Sequence, residues 1–184
     1  IHGRAPTIAT GIKLANSELD VWVVTGDGDA LSIGGNHLLH VLRRNVDLKI
    51  LLLNNRIYGL TKGQYSPTSV LGQVSPSSPY GSVDAPVAPL EFALGANARF
   101  VARGFDVSKD LPNVIRRAHS FRGASLVEIL QNCPVFNDDA FSALRGSKAE
   151  KDDVQLWVEH GKPLLFGAKK NKGLRMKPGT LELE

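Results

Sequence analysis

The fold of this chain is decided by residues 21–29, VWVVTGDGD, together with residues 48–55, LKILLLNN. Each stretch begins with a run of apolar residues and ends abruptly in small and polar ones. An apolar run without polar alternation is typical of a strand that is covered on both faces of a parallel sheet. We therefore predict strands at 21–25 and 48–53, with residues 26–29 and 54–55 at their carboxyl ends.

The segments around these two strands alternate between helical and strand-like patterns. Apolar spacing and proline positions predict helices at 6–16, 33–44, 90–98 and 111–119, and short apolar runs predict strands at 100–102 and 126–130. This alternation indicates an α/β fold with a parallel sheet and helices on both faces. Residues 58–89 form a loop rich in Gly, Ser and Pro, and loops of this length are usually functional.

The pattern weakens after Cys133. A helix is expected at 153–159, and the rest has the composition of an irregular or hairpin extension. We therefore predict an α/β domain at 1–137 and a C-terminal extension at 138–184. Because the chain starts without methionine and stops within a pattern, we expect a fragment that is incomplete at both ends.

Composition excludes several classes of protein. The chain has 184 residues, of which 42% are hydrophobic, and its longest apolar run is far shorter than the ~20 residues of a membrane-spanning helix. A single cysteine, Cys133, rules out an internal disulfide and indicates a reducing, cytoplasmic location. We therefore expect no membrane partner.

Much of the net charge of +4 lies late in the chain, in Lys169, Lys170, Lys172, Arg175 and Lys177. No aromatic residues are interleaved with this basic segment, so it does not resemble a nucleic-acid site. It is most simply a solvated surface, and the alternative is a patch that steers an acidic protein partner. We therefore expect no nucleic-acid partner.

The two strand ends carry the chemistry. The carboxyl ends of parallel strands lie on one edge, so Asp27 and Asn55 should lie together. A carboxylate and an amide oxygen suit Mg²⁺, which completes its shell with phosphate and water. Gly26 and Gly28 allow a diphosphate to approach the backbone, and the start of the following helix favours an anion. A dinucleotide-binding loop is excluded, because Leu31 stands where its third glycine belongs.

These motifs resemble those of a known enzyme superfamily. GDG at 26–28 followed by NN at 54–55 is similar to the thiamine diphosphate-binding motif. Four segments resemble the β subunits of 2-oxoacid:ferredoxin oxidoreductases: HGR at 2–4, IGGNH at 33–37, NRIYGLTKGQYSPT at 55–68 and QNCP at 131–134. The TKGQ version is similar to that of 2-oxoglutarate-type enzymes. The fold implied is a diphosphate-side thiamine diphosphate-binding domain, incomplete at its N-terminus.

The resemblance also implies roles for individual residues. The Mg²⁺ ligands would be the side chains of Asp27 and Asn55 and the carbonyl of Ile57. Around the diphosphate would lie Gly28, Asp29, Thr61 and Gln64, and Leu60 would lie close to the thiazolium. His2 either approaches the reaction centre or is an ordinary loop histidine, and His37 and His40 have surface or helix-packing roles.

Cys133 has two interpretations. A lone cysteine after a buried strand is most often a small core residue. The resemblance implies instead the fourth thiolate of a [4Fe-4S] cluster, whose other three ligands precede the HGR segment and so lie outside this sequence. One cysteine cannot hold such a cluster.

The activity implied is oxidative decarboxylation of a 2-oxoacid to acyl-CoA, with coenzyme A as acceptor and electrons passing to ferredoxin. An α subunit would supply the glutamate that activates the cofactor, so we expect no catalytic residue in this chain and no activity from it alone. Two alternatives remain. One is another thiamine diphosphate enzyme, a non-oxidative decarboxylase or a synthase, and the other is a non-catalytic α/β interaction module.

Overall fold

The computed structural model describes residues 2–144, 146–158, 161–180 and 182–184. The chain divides into two compact units, Ile1–Ala140 and Phe141–Glu184. Among the described residues, no helix is long and apolar enough to cross a membrane.

In its described part, the first unit is built on four parallel strands: β1 Trp22–Gly26, β2 Lys49–Asn54, β3 Phe100–Phe105 and β4 Ser125–Leu130. Their order across the sheet is β1-β2-β4-β3. Gly26 pairs with Leu53, and Asn54 pairs with Leu130, so the strands end level with one another. The predicted parallel sheet is confirmed, and β3 is longer than the run at 100–102 indicated.

Among the described residues of this unit, five helices accompany the strands: α1 Ala5–Ala15, α2 Asp27–Leu31, α3 Gly35–Arg44, α4 Pro89–Gly95 and α5 Leu111–Ser120. Proline stands in the first turn of α1, α4 and α5, where its missing N–H costs no hydrogen bond. Asn45 ends α3 in the left-handed conformation, with φ 53°, and its side chain accepts a hydrogen bond from the Ala124 N–H. Four of these helices confirm the predictions, with ends shifted by a few residues.

The sheet carries helices on both faces, as predicted. On one face, Ile50, Leu52 and Leu126 pack with buried residues of α1, α3 and α4. On the other, Val127 and Ile129 pack against Ala118 of α5. The two faces alternate along β2 because successive side chains of a strand point in opposite directions.

The expectation that β1 is covered on both faces is wrong. Val23 lies in the core, but Val24 is 62% exposed on the opposite face. That face of the sheet is covered by α5, which lies against β3 and β4. Trp22 is partly shielded by stacking on His119, with ring centroids 5.8 Å apart.

Two local predictions also need correction. The helix expected to follow residues 26–29 begins within them, because α2 starts at Asp27, directly after β1. Ile33, expected on the apolar face of the next helix, lies outside α3 and is half-exposed.

The second unit contains a short helix, α6 Lys148–Val154, and a two-stranded antiparallel pair, β5 Leu165–Phe166 and β6 Lys172–Gly173. The prediction of a helix at 153–159 is wrong. Its last residue, Glu159, lies outside the described residues. Ser147 and Glu150 form a capping box that starts α6 earlier, and Gln155 ends it in an extended conformation. Three basic residues of the late segment pair with acids of the same unit: Lys172 with Asp153, Arg175 with Glu184 and Lys177 with Glu182.

Candidate functional site

A layer of polar side chains lies at the carboxyl edge of the sheet, directly above the apolar core. Thr25 of β1, Asn54 of β2 and Glu128 of β4 are all buried. Buried polar groups are stable only when they are hydrogen-bonded, so their partners define the site.

Asp27 is almost fully buried at this edge, with 2% of its surface exposed. Its Oδ2 accepts hydrogen bonds of 2.6 Å from Ser66 Oγ and from Thr68 Oγ1. Burial raises the pKa of Asp27 above its ordinary value, although the Ser66 and Thr68 hydroxyls and the Gly28 N–H act in the opposite direction. Hydroxyls do not neutralise a carboxylate, so this side chain remains well suited to a cation.

The two asparagines after β2 have different surroundings. Asn54 is buried, its Oδ1 accepts from the Arg56 N–H at 3.1 Å and lies 3.0 Å from Thr68 Oγ1, and its Nδ2 donates to Glu128 at 2.7 Å. Asn55 is half-buried, and its Oδ1 accepts from the Ile57 N–H at 3.2 Å. Thr68 therefore links the ends of β1 and β2.

Glycine is needed at position 28 because an aromatic ring lies directly against it. The Tyr58 hydroxyl donates to the Gly28 carbonyl at 2.8 Å. A Cβ on Gly28 would lie 2.3 Å from Cε1 of Tyr58, so no larger residue fits without moving that ring. The contact joins the loop after β2 to the first turn of α2.

Asp29 holds the N-terminal segment. Its Oδ1 accepts from the Gly3 N–H at 2.6 Å and lies 2.6 Å from His2 Nδ1, while Oδ2 accepts from Thr25 Oγ1 at 2.7 Å. The His2 ring lies 6.1 Å from the Tyr58 ring. His2 is thus brought to the site, whereas His37 and His40 lie on α3.

Residues 58–64 form a closed turn. Tyr58 N–H donates to the Gln64 carbonyl at 2.9 Å, and Gly63 N–H donates to the Tyr58 carbonyl at 2.8 Å. Thr61 donates its hydroxyl proton to the Gln64 side chain, and Gln64 Nε2 donates back to the Thr61 carbonyl. Leu60 stands at the tip and is 99% exposed.

Cys133 lies beside this turn and is half-buried, outside the two apolar clusters of the sheet. A Cβ on Gly59 would lie 3.9 Å from its Sγ. The Asn137 side chain donates to the Asn55 carbonyl at 2.9 Å and so joins the Cys133 segment to the end of β2. In the described part of the chain, no three His, Cys, Asp or Glu side chains form a metal-binding group.

No sequence pattern predicted a role for Tyr58, Ser66, Thr68, Ser69 or Glu128. Ser66, Thr68 and Ser69 are buried, and Ser69 Oγ donates to the Arg56 carbonyl at 2.6 Å. Ser66 and Ser69 line a cleft of about 430 Å³, together with Tyr58 and Asp84. The available signals were the clustered hydroxyls of SPTS at 66–69 and the single charge within the apolar run at 126–130.

The sequence matches the family described as thiamine pyrophosphate enzyme, C-terminal TPP binding domain, over residues 1–129. The 2-oxoglutarate oxidoreductase subunit KorB of Mycobacterium tuberculosis is 62% identical over 169 residues, which are 91% of this chain and 45% of that protein. The 2-oxoacid:ferredoxin oxidoreductase subunit beta of Saccharolobus solfataricus is 46% identical over 140 residues, which are 75% of this chain and 46% of that protein.

A solved structure of similar fold is the 2-oxoglutarate:ferredoxin oxidoreductase from Magnetococcus marinus with 2-oxoglutarate, coenzyme A and succinyl-CoA bound. The match has a TM-score of 0.73 and 44% sequence identity, and it covers 75% of this chain and 48% of that one. This chain spans about half the length of these relatives.

Proposed function

The chain belongs to the thiamine pyrophosphate enzymes, through their C-terminal TPP-binding domain, and from that premise we propose that it is the diphosphate- and magnesium-binding part of a 2-oxoacid:ferredoxin oxidoreductase β subunit. The observation that carries the proposal is the buried Asp27 carboxylate at the end of β1, which accepts hydrogen bonds from neutral donors: the Ser66 and Thr68 hydroxyls and the Gly28 N–H. The relatives named above supply the reaction class.

The residues at this edge fit Mg²⁺. The ligands would be the Asp27 carboxylate, the Asn55 amide oxygen and the Ile57 carbonyl, all hard oxygen donors, and Mg²⁺ typically keeps few protein ligands. A cation there would also remove the cost of leaving a buried carboxylate without opposite charge. Ser66 and Thr68 would hold Asp27 in place, because their hydroxyls already orient its Oδ2.

The diphosphate would lie by the first turn of α2 and the closed turn after β2. Gly28, Asp29, Thr61 and Gln64 would surround it, and the exposed Leu60 would lie close to the thiazolium and the substrate. When bound, thiamine diphosphate supplies an electron sink for loss of CO₂ from a 2-oxoacid. The protein's own contribution is to orient the diphosphate and to neutralise its charge through the metal.

Cys133 fits an iron–sulfur cluster only as one ligand among four. A [4Fe-4S] cluster takes four thiolates, and the sequence contains one cysteine. We therefore propose that Cys133 contributes a single thiolate to a cluster completed by cysteines outside these 184 residues. Its position beside the turn at 58–64 would keep that cluster close to the cofactor.

The remaining parts of the reaction would come from partners. An α subunit would supply the glutamate that activates the cofactor, coenzyme A would accept the acyl group, and ferredoxin would accept the electrons. The substrate that best agrees with the relatives is 2-oxoglutarate, since two of them are named for it.

The test is a titration of the full-length complex with thiamine diphosphate and Mg²⁺. Asp27→Asn keeps the shape of the side chain but removes its charge, and should abolish Mg²⁺-dependent cofactor binding. Asp20→Asn is the matched control, because Asp20 is exposed and precedes β1 at the opposite edge of the sheet. Equal binding by wild type and Asp27→Asn would favour a non-catalytic module.

A second measurement separates the proposed reaction from a non-oxidative one. The complex should reduce ferredoxin or methyl viologen only when a 2-oxoacid and coenzyme A are both present. Release of CO₂ without reduction of either acceptor would point to a decarboxylase or a synthase instead.

A further inference from the structure

Glu128 is a buried carboxylate that the proposed chemistry does not use. It lies two residues before the end of β4, a strand in which every residue is buried, and 1% of its surface is exposed. Its Oε2 forms an ion pair with Arg103 Nε at 2.6 Å, and its Oε1 accepts from Asn54 Nδ2 at 2.7 Å. A charge in such a position is costly unless it has a specific task or complete pairing.

The task is indicated by what the Asn54 amide does on its other side. Its Oδ1 accepts from the Arg56 N–H at 3.1 Å and lies 3.0 Å from Thr68 Oγ1, whose single proton is shared between Asn54 and Asp27 Oδ2. Thr68 in turn holds Asp27, and Arg56 lies between Asn55 and Ile57. One amide oxygen therefore joins the carboxylate at the end of β1 to the turn that carries the other two proposed ligands.

An amide can be rotated by half a turn with little change in shape, so something must fix its orientation. If Asn54 were flipped, its NH₂ group would face the Arg56 N–H, a donor against a donor. The Glu128 carboxylate prevents this, because it can only accept, and the Asn54 atom that faces its Oε1 must therefore be the donor Nδ2. Arg103 holds Glu128 from the opposite side and keeps it in reach of Asn54.

We propose that Glu128 is a positioning residue for the metal site: by fixing the Asn54 amide, it holds the Asp27 carboxylate and the Asn55–Ile57 turn in the arrangement that binds Mg²⁺. The proposal rests on the function proposed above. It makes a residue of β4, on the far side of β2 from Asp27, a determinant of metal affinity.

The experiment measures Mg²⁺ affinity of the full-length complex by calorimetry, with thiamine diphosphate in excess and well below the unfolding temperature. Glu128→Gln keeps the shape of the side chain. The NH₂ group of the new amide must face either Arg103 or Asn54, and both of them present donors to this position. Partners of metal ligands typically change metal affinity 10- to 100-fold, so we expect a rise in the Mg²⁺ Kd of at least about 10-fold.

A double variant tests the mechanism itself. The double variant Asn54→Asp with Glu128→Gln exchanges donor and acceptor across the same hydrogen bond: the residue at 128 now donates and the residue at 54 accepts. An oxygen again faces Thr68 and Arg56, and the total charge equals that of wild type. Its Mg²⁺ affinity should return most of the way to wild type. Failure of the double variant to recover affinity overturns the proposal, because it would mean that amide orientation is not the cause.

Lys49→Met is the matched control. Like Glu128, Lys49 is a buried charged residue of the sheet, but it lies at the start of β2, at the opposite edge. There its ammonium donates hydrogen bonds to Asp47 and to the carbonyls of Phe121 and Gly123. Its Mg²⁺ affinity should equal that of wild type, and an effect as large as that of Glu128→Gln overturns the proposal.

Wild-type affinity in Glu128→Gln, with loss in Asp27→Asn, also overturns it and leaves the proposed function standing. Wild-type affinity in Asp27→Asn rejects the proposed function itself.

Discussion

Thr68 Oγ1 lies 2.6 Å from Asp27 Oδ2, and this contact fastens the long loop between β2 and α4 to the end of β1. The two residues are 41 positions apart in the chain. Ser66 makes the same contact from two positions earlier. The loop is therefore ordered by hydroxyl groups that reach one buried carboxylate.

Removing the Thr68 hydroxyl should weaken the fold. Thr68→Val keeps the shape but removes the one proton that Thr68 shares between Asp27 Oδ2 and Asn54 Oδ1. Loss of a buried bond to a charged group costs about 1.5–3 kcal/mol, and we expect the free energy of unfolding to fall by that amount. Urea denaturation of the full-length protein measures it.

Thr7→Val is the control for that substitution, because Thr7 is exposed on α1. It should change the free energy of unfolding by less than about 0.5 kcal/mol. Equal effects of the two substitutions would show that the Thr68 contact does not hold the loop.

Replacement by alanine should destabilise the fold at Gly28 but not at Gly35. In Gly28→Ala the new methyl would lie 2.3 Å from the Tyr58 ring, so the ring must move and the turn at 58–64 must shift with it. We expect a loss of about 1–3 kcal/mol in the free energy of unfolding, with weaker cofactor binding.

Gly35 is the first residue of α3, and a Cβ there meets no atom within 4 Å. Gly35→Ala should therefore be neutral or stabilising by up to about 1 kcal/mol, because alanine favours the helix and restricts the unfolded chain. Chemical denaturation measures the free energy of unfolding of both variants, and equal values for Gly28→Ala and Gly35→Ala would contradict this prediction.

Asp47 should make stability depend on pH. Burial tends to raise its pKa, but the Lys49 ammonium at 2.8 Å, the Gly123 N–H at 3.1 Å and Lys13 outweigh burial and place the pKa below its ordinary value of 3.8. The unfolded chain then binds a proton more readily than the folded one. The stabilisation is complete above the ordinary pKa and is lost as the pH falls through the folded pKa.

The measurement compares wild type with Asp47→Asn across the acid range. The difference in free energy of unfolding should be larger at about pH 6 than at about pH 2.5. In a Lys49→Met background the same difference should shrink, because the main favourable partner is gone. A difference that stays constant with pH would contradict the assignment.

The sheet and its polar edge could be predicted from sequence because their signals are local. Uninterrupted apolar runs mark β1 and β2, and the residues directly after them must lie at the edge where parallel strands end. The placement of Asp27 beside the end of β2 followed from this rule alone. The start of α2 did not, because a helix that opens with Asp-Gly-Asp has no apolar periodicity.

The supporting contacts could not be predicted, because they depend on the path of the loop. Ser66 and Thr68 meet Asp27 across about 40 positions, and Glu128 meets Asn54 across 74. No spacing rule connects such residues. In the second unit, α6 was misplaced because KAEKDDV has little apolar periodicity, although its capping box, Ser147 with Glu150, was visible in the sequence.

Cys133 provides the last prediction, which separates a cluster ligand from a packing residue. In Cys133→Ser the side chain keeps its size but loses the thiolate that a [4Fe-4S] cluster needs. If Cys133 is a ligand, the full-length protein should lose most of its iron and its visible absorbance while its free energy of unfolding without iron stays close to wild type. Gly59→Ala is the control, since its methyl would lie 3.9 Å from the Sγ atom, an ordinary contact, and leaves the thiol in place. Its iron content should be that of wild type. Full iron content in Cys133→Ser would assign Cys133 to packing, because a half-buried cysteine beside the turn at 58–64 would then serve only to fill space.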